Sequence, residues 1–157
     1  MNHENSGPSP ADHIGQAAGG ITGVFAGAAI GVTAGPIGVL LGGIAGAIGG
    51  WWSGRAIVEA AQDITEDDER YYRSDYQRAD RRVDLASRAR FDDARSAYLL
   101  GDIAAANPEY AGRSFDDVER DLALGWSSAA GPHAWTMMRN YAGVGFQRGR
   151  ERRAKPR

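Results

Sequence analysis

Glycine recurs at every fourth position through the first third of this chain. Gly15, Gly19, Gly23, Gly27, Gly31 and Gly35 form one series and Gly38, Gly42, Gly46, Gly50 and Gly54 a second, so eleven of the fourteen glycines between 15 and 54 lie on two tracks. Positions i and i+4 share one face of an α-helix, and each track becomes a groove without side chains along a helix. Each glycine inside a helix costs about 0.8–1 kcal/mol relative to alanine, so eleven cost roughly 10 kcal/mol, comparable with the stability of a whole domain. Such helices need a partner close enough for backbone dispersion and Cα–H···O contacts to compensate.

Pro36 stands between the tracks in Gly35-Pro36-Ile37-Gly38, where a missing donor and two glycine neighbours mark a hairpin turn. Each arm is about 17–19 residues, reaching roughly 26–28 Å against the roughly 30 Å of bilayer hydrocarbon. Residues 14–54 carry no charge, and in lipid the unsatisfied alternatives to a helix are worse than glycine. The expectation is a transmembrane or re-entrant hairpin over 14–54. Its large apolar groups are few: Ile21, Val24, Phe25, Ile30 and Val32 on one arm, Ile37, Val39, Leu40, Leu41, Ile44 and Ile48 on the other. Pairing between arms or between copies has to supply the remaining insertion energy. Trp51 and Trp52 with Arg55 directly after fit a membrane interface; two tryptophans covering a helix end inside a folded core are the alternative. The turn at 35–38 has no polar side chain, so the hairpin either stops near the far headgroups or is covered by other copies.

The two Gly-xxx-Gly tracks joined through Gly35-Pro36 resemble the glycine-zipper two-helix proteins of bacteria. That group contains envelope-associated and stress-related members, pore-forming peptides and antibacterial effectors. The resemblance covers about a quarter of the chain and implies a membrane setting and self-association.

Charge divides the 157 residues in two. Nothing basic precedes Arg55, so all 18 basic side chains follow it, and only Glu4 and Asp12 are acidic before it. A cleaved export signal, which needs a positive start, is not expected. Residues 1–13 are polar, with Gly7, Pro8 and Pro10, and read as a disordered end. Cysteine is absent, which excludes disulfides, thiolate metal sites and cysteine nucleophiles.

The charged α-helical region, 55–146, offers local signals. Ile57, Val58, Ala61 and Ile64 continue from the second arm at helical spacing, and Thr65 with Asp68 resembles a capping box opening an acidic first turn. From Tyr71 to Arg95 arginine alternates with aspartate, which reads as a solvated helix laced with weak ion pairs. Phe91, Ala94, Tyr98 and Leu99 form an apolar stripe before Gly101; Ser114 with Asp117 caps a helix carrying Phe115, Val118, Leu122 and Trp126; Pro132 opens another with Trp135, Met138, Ala142 and Phe146. Their core is thin, and docking on a membrane or another copy is expected to supplement it. The stretch from Tyr110 to Glu119, with Leu122 and Trp126 after it and Tyr71, Tyr72 and Tyr76 before it, is similar to a recurring tail of uncharacterised bacterial proteins, which implies no activity.

Chemistry has little footing. His3, His13 and His133 have neither ligand spacing nor a nucleophile partner, and the acidic run 66–69 lacks the spacing of a calcium loop. Carboxylates beside arginines are held ionised and are poor general acids. Residues 55–157 balance 18 basic against 18 acidic groups, which argues against nucleic acid. The basic tail, 147–157, has a local charge of +5 and reads either as an anionic-leaflet contact or as a frayed solubilising end.

The expectation is an all-α, non-enzymatic protein: a glycine-zipper hairpin followed by amphipathic helices in a small loose bundle. No catalytic, cofactor or metal site is expected. The partners expected are a lipid bilayer and further copies of the chain. Three roles fit: an anchor and assembly module in a bacterial inner membrane or envelope; a secreted antibacterial effector whose hairpins form a pore in a target membrane, with an immunity or chaperone partner; and a helical interaction scaffold.

Overall fold

Two helices begin where short side chains cap them. Thr65 donates from its backbone N and from Oγ1 to Asp68 Oδ2, at 3.0 and 2.8 Å, while Asp68 N donates to Thr65 Oγ1 at 3.3 Å. Ser114 and Asp117 repeat the arrangement at 2.8, 2.7 and 3.3 Å. Both pairs satisfy backbone donors that a helix start otherwise leaves orphaned.

The structure is a computed structural model and describes residues 38, 42, 44, 48, 50–53, 56–80, 89–128 and 133–155. Among these the protein is an all-α small bundle of five helices with no strand. The helices are α1 (Ala56–Gln62), α2 (Glu66–Asp80), α3 (Phe91–Ala104), α4 (Phe115–Ser128) and α5 (Trp135–Ala154), with 3-10 turns at Gly50–Ser53 and Pro108–Tyr110. Gly38, Gly42, Ile44 and Ile48 are helical as well.

α3 is the central helix, and every residue from Ala97 to Ala104 is buried. It runs parallel to α5, since its partners there advance with it: Asp93 meets His133, Tyr98 meets Tyr141 and Asp102 meets Arg152. α4 turns back antiparallel to α5, pairing Trp126 with Trp135, Glu119 with Arg139 and Phe115 with Phe146. α2 lies antiparallel to both α3 and α5, with Tyr72 stacked on Tyr98 at 4.8 Å and Tyr76 against Phe91 at 5.4 Å.

Several expectations need correcting. α3 does not stop before Gly101 but continues through it to Ala104. The solvated reading of 71–95 holds for only one side of α2: Arg73 and Arg78 are exposed, but Tyr72 is fully buried and Tyr76 half-buried. The thin core also draws on the second glycine arm, through Ile44 at 0% and Trp52 at 1% exposure, with Ile48 packed against it.

The transmembrane reading of the hairpin is corrected too: no helix among the described residues is long and apolar enough to cross a membrane. The longest, α5, carries Arg139, Arg148, Arg150, Arg152 and Arg153. Ile44 and Trp52, which the second arm was expected to offer lipid, are instead buried in protein, and Ile48 is half-buried. Gly15, Gly19, Gly23, Gly27, Gly31, Gly35, Pro36, Gly46, Gly54 and Arg55 lie outside the described residues, as does the polar end 1–13.

Candidate functional site

Three glycines, Gly101 and the unremarked Gly145 and Gly149, bring α3 and α5 into close contact. A Cβ on Gly101 would lie 2.8 Å from Ala142 C and from Phe146 N, and one on Gly145 would lie 2.8 Å from Tyr98 C, with the carbonyl oxygens of Ala142 and Tyr98 nearer still. A Cβ on Gly149 would meet Asp102 Oδ1 at 2.7 Å. Gly145 and Gly149 repeat the four-residue spacing of the first third of the chain, and that repetition was the available signal.

This close approach places a buried ionic cluster where α2, α3 and α5 meet. Asp102, fully buried, accepts from Tyr72 Oη at 2.5 Å, from Arg152 at 2.7 and 2.6 Å and from Arg153 at 3.2 Å. Asp68, also fully buried, accepts from Arg148 Nε and Arg152 Nη1 at 2.8 Å each. Arg153 Nη1 also donates to the carbonyls of Asp102 and Gly149, both at 3.1 Å. Arg148 lies over the Tyr71 ring at 4.8 Å. Arg150 donates to Tyr110 O at 2.7 Å and covers the Phe146 ring. Most of what reads as a basic tail is therefore the last turns of α5, with its arginines engaged inside the bundle. Asp102 was missed as well; its signal was a lone charge in the apolar run Tyr98-Leu99-Leu100-Gly101-Asp102-Ile103-Ala104.

Electrostatics in the cluster favour fixed charges. Burial pushes the Asp68 carboxyl up, but the Thr65 hydrogen bonds, the Arg148 hydrogen bond and the Arg152 charge outweigh it and hold the group below the usual carboxylate range. Burial and the neighbouring Asp102 carboxylate push the Tyr72 phenol far up. On the opposite side of α5, hydrogen bonds from Arg139 lower Glu119 to about 2, and Trp135 Nε1 donates to the same carboxylate at 3.0 Å. Carboxylates held ionised and a phenol held neutral are poorly matched to proton transfer near neutral pH. No group of three His, Asp or Glu among the described residues is placed to hold a metal.

The second constellation seats the glycine arm. Ile44 Cγ2 and Ile48 Cδ1 come within 2.9 Å of where a Gly125 side chain would begin, so the missing Cβ on α4 is the notch that receives them. Trp52, expected at a membrane interface, sits in the core, where its Nε1 donates to Tyr110 Oη at 3.3 Å; Tyr110 Oη in turn donates to Asp121 at 3.2 Å. Trp51 lies in the same 3-10 turn. Of the glycine tracks, Gly38 is buried, Gly42 is half-buried, and Gly50 begins the turn with φ +59°, a conformation that favours glycine. His133 is half-buried and lies 3.1 Å from Asp93, while its carbonyl accepts from Trp126 Nε1 at 2.7 Å. No family model, no curated protein and no solved structure matches this chain.

Proposed function

We propose that the protein is a non-enzymatic helical scaffold whose copies assemble through the glycine-rich segment. The observation that carries this reading is the seating of Ile44 and Ile48 at Gly125. These isoleucines are two and six residues beyond Gly42, so they lie about 200° and 240° around an α-helix from it. The bundle takes the isoleucine face, and the glycine track is the face suited to a second small-residue helix. The Gly101 and Gly145 crossing supports the same use of glycine, since there two helices meet backbone to backbone. Ionised, arginine-paired Asp68 and Glu119 support a role without acid–base chemistry. The glycine-zipper resemblance belongs to this proposal through its two tracks.

The test is mass determination by light scattering on the eluting chain, with Gly27→Leu plus Gly42→Leu as the variant, one change on each track. The wild type should elute as an oligomer, and the double variant should dissociate while keeping its helical circular dichroism. A wild-type monomer, or an oligomer indifferent to both leucines, refutes assembly through the tracks.

A further inference from the structure

α2 is an unusual helix to find docked in a bundle. Its fifteen residues, Glu66 to Asp80, include no aliphatic side chain larger than alanine. The hydrophobic effect that seats most amphipathic helices is carried here by tyrosine rings alone, and the remaining ties are polar. The inward stripe is Asp68, Tyr72 and Tyr76, spaced four apart on one face. Asp68 meets Arg148 and Arg152, Tyr72 donates to Asp102, and Tyr76 donates to Ala89 O at 2.7 Å. Flanking ties add Glu69 with Arg95 and Asp75 with Tyr98 Oη. The apolar patch beneath, Tyr72 with Ala94, Tyr98 and Leu99, is a cluster of its own beside the main core.

We infer that the surface shared by α3 and α5 is a recognition groove for an acidic, tyrosine-bearing helix, filled in cis by α2 and open to α2 of a second copy when the resident one lifts off. Charge complementarity carries the assignment. The groove presents Arg95, Arg148 and Arg152 around an aromatic floor of Tyr98 and Tyr141, and the occupant answers with Glu69 and Asp68 around Tyr72 and Tyr76. A docked element held by hydroxyls, carboxylates and stacked rings has few aliphatic contacts to lose on leaving, which places its opening below global unfolding. The groove it vacates keeps its shape, because α3 and α5 remain joined by their glycine crossing. This inference concerns elements apart from the glycine tracks and does not depend on assembly through them.

The experiment has two arms. In hydrogen exchange of the full chain, α2 amides should exchange ahead of those in α3 and α5, and faster still in high salt, which screens the partly exposed Glu69–Arg95 pair. Exchange of α2 in step with α3 and α5 overturns the inference. In the second arm, a fluorescent peptide of residues 64–80 is titrated against full-length wild type and against chains carrying Asp68→Asn or Tyr72→Phe. Each variant weakens the resident helix, so the peptide should bind it about tenfold or more tighter than wild type, because apparent affinity scales with the open fraction. The Tyr72→Phe chain keeps every ion pair and serves if Asp68→Asn fails to fold. Equal binding by a scrambled peptide of the same composition, or no peptide binding to the Tyr72→Phe chain, overturns it.

Discussion

Substituting alanine for Gly145 tests whether α3 and α5 truly meet backbone to backbone. The added Cβ would lie 2.8 Å from Tyr98 C and 3.0 Å from Tyr98 Cα, short of the 3.4 Å at which ordinary contact begins. Those are main-chain atoms in the buried stretch 97–104 of α3, so no rotamer change relieves the clash and the helices must separate. Separation loosens the Tyr98 and Phe146 packing and pulls Gly149 away from Asp102. Overpacking of this kind costs about 1–3 kcal/mol, and rigid neighbours place this case at the upper end. Helix propensity returns about 1 kcal/mol, leaving a net loss of roughly 2 kcal/mol. For a chain of this size that corresponds to a melting temperature lower by about 4–8 °C. Gly143→Ala is the internal control: it lies on the same helix, its Cβ would meet only the edge of the Phe115 ring at 3.4 Å, and it should be neutral or stabilising by up to about 1 kcal/mol. Urea and thermal unfolding followed by far-ultraviolet circular dichroism give both values. If Gly145→Ala unfolds at or above the wild-type midpoint, the backbone contact is not what holds these helices together.

Asp102→Ala leaves the Tyr72 hydroxyl without its acceptor in a buried setting and Arg152 with Asp68 as its remaining carboxylate, and should cost about 3–5 kcal/mol in urea unfolding. Asp67→Ala, which breaks the exposed pair with Arg70, should stay within about 0.5 kcal/mol. Glu119 is lowered to about 2 and Asp68 is also lowered, so the stability they contribute is complete above the ordinary carboxylate range of about 4 and is lost as pH falls toward about 2. Urea midpoints measured across that range should drop, and Glu119→Gln should flatten part of the slope. Burial raises the phenols of Tyr72, Tyr98 and Tyr110, so their neutral forms stabilise the fold below about pH 10 and that contribution is lost as pH climbs toward the raised values. An absorbance titration should show these phenols ionising later than a free tyrosine, and normal ionisation of all three would contradict their burial.

What was legible in the sequence was local. The caps at Thr65 and Ser114 join residues three apart, and the stripes on α4 and α5 have the helical period, so both could be read without knowing the fold. The partners of the α5 arginines could not, because Asp102 precedes Arg152 by 50 residues and Asp68 precedes it by 84. An arginine-rich end looks the same in sequence whether its charges face water or a buried carboxylate. The stripe read from Phe91 to Leu99 stopped before Gly101; only the opposing Gly145 shows that this glycine serves a close crossing. Trp52 satisfied two patterns equally, a membrane interface and a covered helix end, and the choice rested on Tyr110, 58 residues away. The glycine spacing could not say that isoleucines two residues out of phase with it would be the side held by the bundle.

The parallel course of α3 and α5 has a consequence for how the chain is made. Two parallel helices cannot be joined by a tight turn, so residues 105–134 must travel back along the bundle, partly as α4, before the second can lie beside the first. At synthesis rates of about 5–20 residues per second, α3 is complete for some seconds before its neighbour emerges. During that interval the eight-residue stretch that ends up wholly enclosed is exposed to water and to other nascent chains. A ribosome paused between α4 and α5 would hold the protein at its most adhesive, and that is the stage at which a chaperone would find the most to bind.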